Sequence, residues 1–220
     1  MTARQTALDQ TIGRYYDECA RDPDGRDRSW EHCYRFFRKH RSDLLEVERD
    51  AALQLGFYLA SWGMYRGSAF LLQHTYTVHI PVIRALASSQ FTRLWQVDVG
   101  TNGDHIGLAS TIMDVVDSVK AAYKPFGNAT DTLATKVLLG TIGCLPALDR
   151  LFIDGFRERG FPYSRLNGLF VGRILRFSID HRRELAKIQS EIMDRGGLRY
   201  PLMKLVDMHF WQIGADLEST

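Results

Sequence analysis

Residues Thr135–Phe152 read TKVLLGTIGCLPALDRLF. An apolar helical run fills the start. Gly143-Cys144-Leu145-Pro146 breaks it, and a second helix is entered through Pro146 with Asp149 in its first turn. Two helices joined by a short break, with no alternating run of β-branched residues on either side, point to helix-on-helix packing. An acid just inside a helix start is favoured by the macrodipole. The proline break would let that acid face whatever the two helices enclose.

Outward from this stretch, helical periodicity continues along the whole chain. A first helix spans 6–20, and Asp22-Pro23-Asp24-Gly25 makes a turn. Ser29 is placed to cap a helix through His40. Further helices are expected over 43–64, 69–74 and 79–88, then a polar loop over 98–104. A helix over 105–123 is stopped by Lys124-Pro125-Phe126-Gly127-Asn128, and Thr130 or Asp131 caps the next, which runs to Ile142. The Asp149 helix runs to Arg159 and a long basic amphipathic helix covers 164–194. Gly196-Gly197 stops that helix, and Pro201 opens the last one, with Leu202, Leu205, Val206, His209 and Phe210 facing inward. The expectation is an all-α fold, a compact bundle of about nine or ten helices. It forms one domain over 1–220, with possible lobes 1–100 and 101–220 around a cleft.

Composition sets few limits. The 220 residues are 45% hydrophobic and 25% charged, enough to bury a core. A net charge of +2 neither requires nor excludes nucleic acid, but basic residues cluster in Arg35–Arg41 and Arg173–Lys187. Cys19, Cys33 and Cys144 are odd in number and far apart, so no disulfide framework is expected and a reducing cytoplasm is the simplest setting. The start, MTARQTALDQ, has no apolar run and reads as no signal peptide. Residues 51–72 are apolar-rich but carry Gln54 and Arg66, which favours a buried helix over a membrane span. A monomer is expected.

No metal or cofactor is expected. His32 and His40 are eight apart and His74 and His79 five, which is no ligand spacing; there is no glycine-rich phosphate loop. Ser61, Ser68 and Ser110 lie in no nucleophile elbow, and Cys144 reads as a small core thiol. The stretch 57–79, FYLASWGMYRGSAFLLQHTYTVH, is a second candidate surface. Trp62 and Tyr65, one helical step apart, could share a face with Tyr58 and stack on a flat ligand, with Gln73 and His79 reading its polar edge. The same residues also fit an aromatic core helix in which Gly63 and Gly67 allow close packing.

The region 124–156 resembles the central part of the helix-hairpin-helix DNA glycosylase superfamily, the endonuclease III and 8-oxoguanine glycosylase type. There a hairpin leads to a helix, an apolar-Pro stretch and an Asp opening the next helix. Pro146 and Asp149 fall where that family has its proline and catalytic aspartate, and Thr135-Lys136-Val137 falls where its lyase members begin a helix bearing their lysine. Two features differ. The family hairpin reads Leu-Pro-Gly-x-Gly where this chain has Lys124-Pro125-Phe126-Gly127-Asn128, and the lysine-to-aspartate spacing of thirteen is several residues shorter.

The resemblance implies an enzyme that flips a base out of double-stranded DNA and hydrolyses its N-glycosidic bond. Flipping exposes the sugar, and a carboxylate can then stabilise the cation-like transition state or activate water. Asp149 takes that role. Lys136 is the second catalytic candidate, but an exposed helix face is favoured for it, so a monofunctional glycosylase leaving an abasic site is expected. Tyr58, Trp62, Tyr65, Gln73 and His79 would form the base pocket. Arg66, Lys124, Arg150, Arg173, Arg176 and Arg183 would contact DNA. The chain looks most like compact bacterial glycosylases that defend against phage by excising modified cytosine such as glucosylated hydroxymethylcytosine. The alternatives are a non-catalytic helical adaptor in bacterial defence or stress response and a helical enzyme acting on a small molecule through a His/Tyr/Arg pocket.

Overall fold

Among the described residues the most extensively packed pair of helices is the Asp149 helix, Arg150–Glu158, and the last helix, Leu202–Glu218. Gly155 and Gly214 make this packing possible. A β-carbon on Gly155 would overlap the Phe210 carbonyl, and one on Gly214 the Leu151 carbonyl, so only glycine fits at the crossing. Around it Phe152, Phe156, Phe161, Phe177 and Phe210 form a cluster of edge-on and stacked rings. Each such pair contributes about 0.5–1.5 kcal/mol beyond its buried area.

This computed structural model describes residues 7–100, 105–163 and 165–219. Among them are eleven α-helices and no strand: α1 Ala7–Arg21, α2 Arg28–Lys39, α3 Glu48–Ser61, α4 Ile80–Leu86, α5 Thr92–Gln96, α6 His105–Tyr123, α7 Asp131–Gly140, α8 Arg150–Glu158, α9 Gly168–Asp180, α10 Arg182–Gly196 and α11 Leu202–Glu218. The all-α class therefore stands, with slightly more helices than the periodicity suggests. α11 packs against α1, α8, α9 and α10; α6 lies against α4, α7 and α9; α3 lies against α2, α4 and α7. No helix among the described residues is long and apolar enough to cross a membrane.

Several boundaries differ from the sequence reading, each for a local reason. The helix expected over 43–64 begins only at Glu48, after turns over 40–47, and ends at Ser61. Gly63 adopts φ 73° there, its N–H donates to the Ala60 carbonyl, and the Met64 N–H donates to the Leu59 carbonyl. This is the Schellman closure that a left-handed glycine permits. The helix expected over 69–74 is a 3-10 turn, Phe70–Gln73, and a second 3-10 turn, Tyr76–His79, precedes α4, which covers most of the helix expected over 79–88. The basic helix expected over 164–194 is two helices that break at His181, whose N–H still donates to the Phe177 carbonyl. Ser29 is not a cap: it lies inside α2, buried, with its hydroxyl unpartnered. Gly197, at φ 68°, closes α10 as expected. Part of the loop over 98–104 lies outside the described residues.

Candidate active site

α7 begins at Thr130, whose hydroxyl accepts the Leu133 N–H. Thr132, Thr135 and Lys136 then lie three and four residues apart, on one helix face. That face holds the chain returning through Leu145–Leu148. Thr132 Oγ1 donates to the Leu148 carbonyl (2.9 Å), and the Leu148 N–H donates to Thr135 Oγ1 (2.9 Å). The Ala147 N–H donates to Asp207 Oδ1 on α11 (3.0 Å). An extended segment with no ladder of its own thus has its backbone groups satisfied from both sides.

Asp149 follows as the N-cap of α8, one residue before the helix rather than in its first turn. Its backbone is extended (φ −88°, ψ 178°) and Oδ1 accepts the Phe152 N–H at 3.1 Å. Oδ2 accepts from Lys136 Nζ at 3.0 Å. The Lys136 side chain is 4% exposed and that of Asp149 21%. Lys136 is therefore not on an exposed face. The segment clamped by its own helix folds Asp149 back over it, thirteen residues on.

The pair lies in the wall of a hollow of about 570 Å³, also lined by Trp62, Gly63, Arg26, Arg66, Arg150 and Trp211. The Schellman turn at the end of α3 sets Trp62 there. Lys136 Nζ is 4.9 Å from the centre of its ring, Arg26 Cζ 5.7 Å and Lys204 Nζ 5.7 Å. The Trp62 indole N–H is buried without an acceptor. Lys204 is itself buried and paired with Asp207 (2.9 Å). Burial raises the Asp207 pKa, against the opposing attraction of Lys204.

Of the five residues expected to form a base pocket, only Trp62 reaches this hollow. Tyr58 is core, wedged over Gly140, where a β-carbon would overlap its ring. His79 is fully buried between Tyr65 Oη on Nε2 and Tyr123 Oη on Nδ1, both at 2.6 Å. Desolvation lowers its pKa to about 4. That relay also removes Tyr65 from the hollow, because Tyr65 lies in the loop beyond α3 and shares no helix face with Trp62. Gln73 is exposed on a 3-10 turn. Of the expected DNA contacts, Arg66 and Arg150 line the hollow. Lys124 instead donates to Asn128 Oδ1, Arg173 donates to the Pro162 carbonyl, Arg176 pairs with Asp180, and Arg183 is exposed on α10.

Sequence reasoning missed Arg26, Thr132, Trp211 and the Lys204–Asp207 pair. A signal for the last was present: two charges three apart inside an apolar helix, where charges are seldom buried unless paired. Among the described residues no cluster of His, Cys, Asp and Glu could hold a metal ion. Comparison with protein families, curated proteins and solved structures gives no match for this chain.

Proposed function

We propose that the chain is a DNA N-glycosylase of helix-hairpin-helix type, acting on a modified base in double-stranded DNA, with Asp149 as the catalytic carboxylate. The observation that carries this reading is the meeting of Asp149, Lys136 and Trp62 in one open hollow edged by arginines. The space suits a flipped base, since small-molecule sites commonly enclose about 300–1,000 Å³. Trp62 supplies a face for stacking. Asp149 Oδ2 faces the sugar as the C1′–N bond breaks and either stabilises the positive charge on C1′ or takes a proton from the attacking water. The bonding electrons leave with the base, which is protonated on nitrogen, and water oxygen bonds to C1′.

The burial of Lys136 changes one part of the expectation. It lines the same hollow, so a covalent route belongs to this proposal beside simple hydrolysis: Asp149 takes a proton from the Lys136 ammonium, the freed amine bonds to C1′ as the base leaves with the bonding electrons, and ring opening to a Schiff base followed by elimination of the 3′ phosphate cleaves the strand. Glucosylated hydroxymethylcytosine of phage DNA is the first substrate to try. The test incubates wild type and Asp149→Asn with duplexes carrying ordinary, damaged and phage-type bases. Alkali-labile breaks from wild type alone are the expected result, and breaks without alkali would assign Lys136 as nucleophile.

A second reading, a non-catalytic helical binding protein in defence or stress response, is favoured by the outer face of α3. Leu53 and Phe57 there are 53% and 63% exposed, one turn apart. No excision from any duplex by folded protein would move the assignment to this reading.

A further inference from the structure

Four cationic side chains line the hollow, and two have their charge answered. Lys136 is paired with Asp149, and Arg150 bridges to Glu218 with Asp154 at 3.9 Å. Arg26 and Arg66 are different. The carboxylate paired with Arg26 is its neighbour Asp27, at 4.0 Å, with Arg26 exposed and Asp27 half-buried, and so long a contact gives a weak pair. Arg66 has no ion pair among the described residues. Its exposed head lies against Gly63, where a β-carbon would sit 3.5 Å from Arg66 Cζ and Nε. Left-handed Gly63 (φ 73°) and Gly67 (φ 59°) shape the loop that carries it.

Two guanidinium groups from different loops, the 22–27 turn and the 62–68 corner, therefore meet one concave surface beside Trp62 with little negative charge to balance them. Two cationic groups lining one concave surface favour an anion there, and planar guanidinium forks suit phosphate oxygens. We infer that Arg26 and Arg66 form a phosphate-binding site at the mouth of the hollow, so the ligand gripped here is a nucleotide held by its phosphate and not a free base or nucleoside. This rests on the glycosylase reading for the identity of the base, and it names what the hollow recognises besides that base.

Calorimetric titration with deoxycytidine, deoxycytidine 5′-monophosphate and inorganic phosphate tests it, using wild type, Arg26→Gln, Arg66→Gln, the double variant and Arg49→Gln as a control on the exposed start of α3. The monophosphate should bind at least tenfold tighter than the nucleoside and be displaced by inorganic phosphate. Each single variant should reduce that advantage severalfold, the double variant should abolish it, and Arg49→Gln should leave it unchanged. Equal affinity for nucleoside and nucleotide, no monophosphate binding at millimolar concentration, or an advantage that survives in the double variant would overturn the inference. Arginine-dependent monophosphate binding without Asp149-dependent excision would leave the phosphate site standing and remove the glycosylase. Excision at an unchanged rate by the double variant would do the reverse.

Discussion

Two Lys–Asp pairs are buried beside Trp62. They are alike in chemistry and differ in access. Lys204–Asp207 lies within α11, with side chains 4% and 5% exposed, and both Asp207 oxygens are used, one by Lys204 and one by the Ala147 N–H. Lys136–Asp149 joins α7 to the start of α8 and opens on the hollow, with Asp149 21% exposed. The sealed pair holds the extended segment that aims Asp149. The open pair can meet a ligand. What separates scaffold from reactive group is water access and the side from which the backbone is satisfied, not residue type.

The comparison can be broken most directly at Lys204. Lys204→Met leaves Asp207 buried without its cation and should cost about 3–5 kcal/mol in urea unfolding. A loss below about 1 kcal/mol would mean that Asp207 does not depend on its cation, and the contrast with the open pair would fail.

Acid probes the sealed interior as a whole. Burial lowers the pKa of His79 to about 4 and of His209 to about 3, the latter sharing a hydrogen bond with Thr11 Oγ1. Both folded values lie below the unfolded value, so the unfolded chain takes up protons first as pH falls. Their contribution is complete above about pH 6.5 and declines towards the folded values; between pH 7 and 5 each histidine should remove about 2 kcal/mol of stability. Melting curves at the two pH values measure this, and His79→Gln should flatten the difference.

Lys136→Met should cost only about 1–2 kcal/mol, because water in the hollow can solvate Asp149 once its partner is gone. A penalty equal to that of Lys204→Met would show that the hollow is dry. Asp149→Asn keeps the cap, since asparagine caps a helix as well as aspartate, but it leaves the buried Lys136 ammonium without its anion. Unfolding should shift by about 1–2 kcal/mol. Excision should be lost all the same. A large stability loss in this variant would make Asp149 a structural residue first.

Legibility followed the range of the interactions. Pro146 and Asp149 could be read as a helix start because capping is settled within a few residues. Trp62 is legible as a stacking residue, but the aromatic run around it masks the stop signal at Gly63. Tyr58, Tyr65, Gln73 and His79 were grouped with Trp62 by closeness in sequence. The chain leaves α3 for a loop and two 3-10 turns, which send them to the core, the relay and the surface.

An all-helical chain, most of the helix ends and an acid at the head of α8 can be read from residue order alone. Those depend on periodicity and on groups a few residues apart. Only the tertiary structure decided that Lys136 lies beneath Asp149, that Arg26 joins Arg66 beside Trp62, and that Lys204–Asp207 braces the segment between them. Each of these brings together residues from different helices or loops, which no rule acting over a few residues can specify.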